Sequence, residues 1–326
     1  MNRDFFCNAV VEKLDMKYGE SGWKTRLLKE GYTSNDEKER ELIKDTNMKY
    51  FNNLNDVLGG DFIVLEHPDG GCIRQEVDYL IESFNDDGWD SIYDIFEKNR
   101  EMFGLADIST KNFENFEDVK DKIIVRPLNY LRNKAALKGK VYKAIGDFAL
   151  VLYIKLFSSE NDLLTTKVFE ESLDKWGISV EKAIELGLKN SSIYFPPRAY
   201  GIKYIFEKPG FDDGIYMGEE GKDYHLGELG EDVFTAYNSL NGAVSFFYPG
   251  VKERIAEMTG GEDYYVVFTS TADFHIHKCS NSEYKTLKAR LIGINGEFPE
   301  EELLTETVFR YSVEQGLLNP VKEEAK

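Results

Sequence analysis

Residues 147–156 read DFALVLYIKL, the most apolar stretch in a chain of 326 residues. The stretch is about half as long as a membrane-spanning helix, which needs about 20 apolar residues. A short, continuous apolar run is typical of a strand buried on both faces. A second strand candidate, IIVRPL at 123–128, contains Pro127, which has no N–H to donate to a neighbouring strand. We therefore expect a central strand at 147–156, and at 123–128 a strand that lies at an edge or ends at Pro127.

The N-terminal third predicts short helices and strands. Residues 4–15 place Phe6, Val10 and Leu14 on one stripe of an amphipathic helix. Ser91 with Asp94 resembles a capping box at the start of another helix. The expected elements are a helix at 4–15, strands at 23–28 and 61–66, and helices at 77–84 and 91–103.

Two helices in tandem are predicted after the central strand. The first should end at Gly177, because glycine takes the left-handed conformation that closes helices. The second should begin at Ser179, because serine is a preferred N-cap. The other expected elements are helices at 133–138, 242–258 and 281–291, a hairpin of 264–268 with 274–278, and a closing strand at 307–312.

These patterns predict an α+β fold, with a mixed or antiparallel sheet and helices packed on it. Residues 104–118 lack a sustained period, so we place a boundary between lobes there. The expected division is a smaller, N-terminal helical lobe with some strands at 1–110, a larger C-terminal α+β domain at 117–320 and a charged tail at 321–326.

The charge of the chain argues against direct binding to nucleic acid or anionic lipid, because the formal net charge is −19. Residues 51–120 hold 17 Asp and Glu against 5 Lys and Arg, whereas residues 121–155 hold 2 against 8. The two segments could face each other or could be solvated faces. Alternatively, the acidic segment could mimic a phosphate backbone and occupy a nucleic-acid-binding protein.

Neither a signal peptide nor a membrane-spanning segment is predicted from the sequence. Charged residues interrupt every apolar piece of the first 15 residues. The three cysteines are scattered and form no CxxC pair, which fits a reducing compartment. We therefore expect a cytoplasmic protein, for which a protein partner is compatible with the composition. The oligomeric state is left open.

One segment could carry metal chemistry, DFHIHKC at 273–279. In a strand, alternate side chains share a face, so Asp273, His275, His277 and Cys279 would point one way. Their oxygen, nitrogen and sulfur donors suit Zn²⁺. One ion could reach about two of them, since same-face neighbours lie about 6.5–7 Å apart, and would need ligands from elsewhere, such as His225 or an acid of 208–232. The alternative is an ordinary amphipathic strand.

The remaining signatures of catalysis are missing from the sequence. It contains no GxxxxGK[ST] phosphate loop, no GxGxxG after a strand, no HExxH and no GxSxG. We therefore expect no nucleotide cofactor, and none at all unless zinc binds at 273–279.

From about residue 117 the order and spacing of motifs resemble a bacterial (Firmicutes) family catalogued as domain of unknown function 5688. More distantly, the C-terminal half is similar to the domain of unknown function 1444 family. Neither resemblance implies an activity. The stretches that carry the first resemblance are VKDKIIVRPLNYLRNKAAL (119–137), DFALVLYIKL (147–156), TTKVFEESLDKWGIS (165–179), IYFPP (193–197), LNGAVSFFYPGVKERIAE (240–257), YYVVFTSTADFHIHKC (264–279) and VFRYSVEQGLL (308–318).

Three functional hypotheses follow from the sequence. The leading one is a non-enzymatic protein that binds another macromolecule, which rests on the acidic balance and on the missing catalytic motifs. The second is a metal-dependent hydrolase centred on His275 and His277. The third is an acidic nucleic-acid mimic that inhibits a DNA- or RNA-binding enzyme.

Overall fold

A computed structural model shows an α+β protein, which confirms the predicted fold class. Its described residues fall into two compact units. The first comprises the described residues of Met1–Val119, Lys155–Ser159 and Leu163–Val168, and the second those of Lys120–Ile154, Glu160–Asp162 and Phe169–Lys326. The division into 1–110, 117–320 and a tail stays a prediction. The structure describes residues 2–29, 61–67, 72–105, 113–134, 137–158, 163–201, 215–216, 233–237, 242–298 and 302–322.

The helices of the described residues include both members of the predicted tandem pair. Gly177 ends the first in the left-handed conformation, with φ of 67°. Ser179 accepts a hydrogen bond from the Lys182 N–H and begins the second. The α-helices are α1 (Arg3–Tyr18), α2 (Val77–Leu105), α3 (Phe116–Val119), α4 (Tyr130–Asn133), α5 (Glu170–Trp176), α6 (Val180–Tyr194), α7 (Val251–Met258) and α8 (Tyr284–Asn295).

The strands form three antiparallel sheets with the orders β1-β2-β3, β4-β6-β5 with β7 also paired to β6, and β14-β13-β11-β12-β10-β8-β9. The strands are β1 (Lys24–Leu28), β2 (Phe62–Glu66), β3 (Cys72–Glu76), β4 (Ile123–Asn129), β5 (Tyr142–Ile145), β6 (Phe148–Ser158), β7 (Leu163–Lys167), β8 (Arg198–Gly201), β9 (Ile215–Tyr216), β10 (Val233–Tyr237), β11 (Tyr264–Val267), β12 (Asp273–Lys278), β13 (Val308–Ser312) and β14 (Leu317–Pro320).

The first unit packs α1 and α2 with the sheet β1-β2-β3. Gly88 divides α2 into two arms, because its φ of 72° and ψ of −150° are not helical. The Phe6 ring of α1 contacts both sides of this kink, with ring centroids 5.4 Å from Phe84 and 6.0 Å from Trp89. Two helices were predicted here, and the kink accounts for the pattern.

In the second unit, β6 lies between β4 and β5, as predicted, and β4 is an edge strand that accommodates Pro127. Helix α6 packs closely on this sheet. A Cβ atom at Gly187 would lie 2.8 Å from Val125 Cγ2 and 2.9 Å from Leu152 Cδ1, so any larger residue would force these side chains to shift. Asn190 Nδ2 donates to the Ile123 carbonyl at 2.9 Å.

The seven-stranded sheet covers an aromatic core on one face. Phe246 lies 5.5 Å from Phe274 of β12 and 6.2 Å from Tyr311 of β13, centroid to centroid. The other face of the sheet carries α8, whose Leu287 and Leu291 are buried. Burial of this apolar area stabilises the unit by about 25 cal/mol per Å².

Two predicted helices are wrong in their bounds. The helix expected at 242–258 is a 3₁₀ helix, Gly242–Phe247, followed by α7, because Pro249 and a left-handed Gly250 interrupt it. The helix expected at 133–138 lies earlier as α4. Asn129 determines that start, since its side chain accepts from the Arg132 N–H at 2.9 Å. Residues 135–136 lie outside the described part.

Two local predictions also need correction. Ser91 does not cap a helix through a box with Asp94, because its hydroxyl donates to the carbonyls of Ser83 and Gly88, each at 2.8 Å. The strand at 307–312 does not close the fold, since β14 pairs beyond it. Among the described helices, none combines the length and apolar character required to cross a bilayer.

Candidate functional site

The predicted metal-binding residues lie on or next to β12, between β11 and β10. Phe274 and Ile276 are fully buried in the aromatic core. His275 and His277 share the opposite face, with ring centroids 6.3 Å apart. The predicted alternation is therefore confirmed for residues 274–277 of this strand.

Both imidazoles of this face are neutral at physiological pH. Burial lowers the pKa of His275 to about 4. Burial, followed by the charges of His275 and Arg290, lowers the pKa of His277 to about 3. A neutral imidazole is the form that binds a metal ion, but it is also the form that a packed strand stabilises.

Asp273, at the start of β12, accepts hydrogen bonds from the hydroxyls of Thr269 and Ser270. Burial raises its pKa to about 6, although the Ser270 hydrogen bond opposes the rise. These hydrogen bonds hold the Asp273 carboxylate within the turn between β11 and β12.

Cys279 follows the strand and is half-buried. Burial raises the pKa of its thiol, so it is a weak thiolate donor. Across the described ranges, no three side chains of His, Cys, Asp or Glu are gathered closely enough to hold a metal ion. His225 and most of 208–232 lie outside those ranges, so the metal site at 273–279 stays a prediction.

A second candidate site lies in the second unit, in a cleft of about 260 Å³. Its walls come from three separate parts of the chain: β5, the first half of α6, and the segment that leads into α7. We call this the α6–α7 cleft. Its lining residues are Lys143, Glu181, Ile184, Glu185, Leu188, Phe247, Tyr248, Pro249, Gly250, Lys252 and Glu253.

The walls of the α6–α7 cleft are held rigidly from behind. The Phe247 ring stacks on Phe268, with centroids 5.9 Å apart and planes inclined by 7°. The buried Tyr248 side chain hydrogen-bonds Ser191 of α6, and burial raises the pKa of its phenol. The Tyr264 hydroxyl donates to the backbone carbonyl of Lys252 at 3.2 Å. The cleft is thus preformed by core packing.

Lys252 is the charged group inside this cleft. Its side chain is half-buried, and Nζ lies 5.9 Å from the centroid of the Phe247 ring. Burial lowers its pKa; the Glu253 charge opposes the change and the Lys143 charge adds to it. No carboxylate of the described residues lies within ion-pair distance of its Nζ. An anionic group would find an ammonium partner here.

The rim of the cleft is charged and open to water. Lys143, Glu181, Glu185 and Glu253 are all exposed, so solvent screens their charges strongly. Glu181 is also engaged locally: hydrogen bonds from its own backbone N–H and from Ser179, with the Lys143 charge, lower the pKa of its carboxyl. The start of α7 has no side-chain cap, and the acidic residue in its first turn is Glu253.

Sequence reasoning missed this cleft because its residues form no local motif. They are ordinary lysines, glutamates and apolar residues brought together by the docking of α6 on the β4-β6-β5 sheet. One signal was present. Tyr248-Pro249-Gly250 interrupts a helical pattern, and such an interruption marks a new helix start at residue 251.

The chain resembles a known protein family. A family model described as "Family of unknown function (DUF5688)" matches residues 83–313, which is most of the chain. No curated protein and no solved structure matches.

Proposed function

This chain belongs to the family of unknown function DUF5688, whose description names no activity, and we propose from its own residues that it binds a small organic acid in the α6–α7 cleft. The family resemblance predicted from residues 117–318 is thereby confirmed. The ligand proposed for the cleft is a carboxylate on a short apolar body.

The half-buried ammonium of Lys252 carries this proposal. A buried charge without an ion-pair partner costs free energy, and a bound anion would remove that cost. Charge-assisted hydrogen bonds are about twice as strong as neutral ones. Lys143 lines the same cleft and adds a second positive charge at its rim.

The apolar walls and the volume define the rest of the ligand. Ile184, Leu188, Phe247 and Pro249 offer a hydrocarbon and aromatic surface. Pockets for drug-sized ligands hold about 300–1,000 Å³, whereas this cleft holds about 260 Å³. A branched aliphatic or single-ring acid matches both features.

The three hypotheses drawn from the sequence stay predictions. A macromolecular partner is compatible with the exposed, acidic rim, and affinity capture from host lysate would test it. The metal-dependent hydrolase at His275 and His277 would be abandoned if metal analysis of the purified protein found no stoichiometric metal. The nucleic-acid mimic requires capture of a basic partner.

The test of the cleft is a calorimetric or NMR titration with isovalerate and phenylacetate, each compared with its neutral amide. We expect the acids to bind and the amides to bind at least about tenfold more weakly, since about 1.4 kcal/mol is a factor of ten. Lys252→Met should bind the acids and the amides with similar affinity. Lys252→Arg should still bind the acids more tightly than the amides. Lys189→Met, on an exposed part of α6 outside the cleft, is the matched control. Equal binding by wild type and Lys252→Met would refute the proposal.

A further inference from the structure

We infer that Lys252 is a nucleophile, which captures the carbonyl carbon of a small oxo acid as an imine inside the α6–α7 cleft. This inference rests on the proposed function, because it requires that the cleft first bind an organic acid. It adds a covalent step and narrows the ligand class to acids that carry an aldehyde or ketone.

The surroundings of Lys252 match those that activate lysine amines. A lysine becomes nucleophilic when it is desolvated in an apolar pocket or lies beside a second cation. The first condition occurs here, since the side chain is half-buried against Phe247. Lys143, which lines the same cleft, acts in the same direction but is a smaller influence than the opposing Glu253. Burial first, and Lys143 after it, lower the pKa of Lys252, while Glu253 opposes them.

A lower pKa increases the fraction of neutral amine, which is the reactive form. At a pH below the pKa, each unit by which the pKa falls raises that fraction about tenfold. Exposed lysines such as Lys189 and Lys285 have no comparable apolar wall. The cleft therefore distinguishes Lys252 from these exposed lysines.

The two lysines of the cleft then have different roles. When the Lys252 amine is neutral, Lys143 is the remaining ammonium of the cleft and attracts the carboxylate of the ligand. The carbonyl, next to the carboxylate in an oxo acid, is thereby directed to the amine.

The step balances without an oxidant or a cofactor. The Lys252 Nζ lone pair forms an N–C bond, the C=O π pair moves to oxygen, and one nitrogen proton passes to that oxygen to give a carbinolamine. Nitrogen then forms a C=N bond as the C–O bond breaks, and the remaining nitrogen proton passes to the oxygen, which leaves as water. The net products are one imine and one water.

The test is reductive trapping on the full-length protein with glyoxylate and sodium cyanoborohydride, followed by peptide mass spectrometry. Hydride reduction of the imine leaves a carboxymethyl group on the lysine. At limiting glyoxylate we expect Lys252 to be labelled at least about tenfold faster than Lys189 or Lys285, which serve as internal controls. Labelling of Lys252 at the rate of these exposed lysines would overturn the inference.

Lys252→Arg separates this inference from the proposed function. Arginine keeps the cation but supplies no reactive amine at neutral pH. We expect the variant to lose the selective label while it still binds isovalerate more tightly than the neutral amide. If wild type binds isovalerate but traps no glyoxylate at Lys252, only the covalent step is wrong. If wild type binds no acid, the proposed function fails, and the inference fails with it.

Discussion

Glu97 shows how one residue can couple protonation to the stability of the first unit. Tyr18 donates to its Oε2 at 2.7 Å, Lys17 Nζ lies 3.3 Å away and Arg100 Nε donates to Oε1 at 3.1 Å. Hydrogen bonds from Arg100 first, then Tyr18, lower the pKa of Glu97 to about 2. A lowered pKa stabilises the folded state above the unfolded pKa, and this stabilisation is lost as the pH falls toward 2.

We therefore predict that Glu97→Gln destabilises the protein at pH 7 by about 1–2 kcal/mol, a value reduced to allow for partial exposure. The difference from wild type should shrink between about pH 4.5 and pH 2. Chemical denaturation over that pH range measures it. Glu82→Gln, at an exposed position of the same helix, should change stability by less than about 0.5 kcal/mol. If the free energy of unfolding of Glu97→Gln differed from that of wild type by the same amount at all pH values, the lowered pKa of Glu97 would be contradicted.

At the scale of elements, the docking of α6 on β4 depends on the absence of a side chain at Gly187. A methyl group at Gly187 would lie 2.8 Å from Val125 Cγ2 in a packed core. Overpacking costs about 1–3 kcal/mol, and the gain in helix propensity from alanine offsets up to about 1 kcal/mol. We predict that Gly187→Ala lowers the free energy of unfolding by about 1–2 kcal/mol, measured by urea titration.

The matched control for this prediction is Gly293→Ala in α8. A Cβ at Gly293 would meet nothing within 4 Å, so only the propensity gain of up to about 1 kcal/mol remains. A Gly187→Ala variant that is less stable than wild type, together with a Gly293→Ala variant that is more stable, would support the packing argument. A stabilising Gly187→Ala would show that the neighbouring methyl groups can move aside.

Elements with strong local signals were predictable from sequence. The apolar run at 147–156 predicted β6. Gly177 and Ser179 predicted the boundary between α5 and α6. β3 and β14 were missed. β14 has mostly exposed residues, and both are edge strands held by pairing with a neighbour. Pairing depends on long-range contacts, which a local pattern does not contain.

The candidate site divides in the same way. Alternation along a single strand placed His275 and His277 on one face, and that required only local geometry. The importance of Lys252 arises from a cleft that it shares with residues distant in the sequence, such as Lys143 and Ile184. Its sequence neighbours, Val251 and Glu253, give no sign of that environment.

For the whole molecule, the net charge of −19 implies mutual repulsion that opposes compaction. We predict that the melting temperature at pH 7 rises as NaCl increases from low ionic strength to about 0.15 M, where the Debye length falls to about 8 Å. Differential scanning calorimetry measures the change. Sucrose at matched osmolality is the control, and it should not raise the melting temperature as steeply at low concentration as NaCl does. A melting temperature that is flat or falls with salt would show that attractive ion pairs outweigh the repulsion.

The close approach at Gly187 also restricts how this chain can diverge over evolution. The helix must keep a glycine there, with Asn190 to satisfy the Ile123 carbonyl and Ser191 to accept from the Val125 N–H at 3.0 Å. A homologue that retains the docking should therefore retain a G-x-x-N-S run, even where its surface has changed completely. That run is a practical search pattern for distant relatives whose overall similarity has faded.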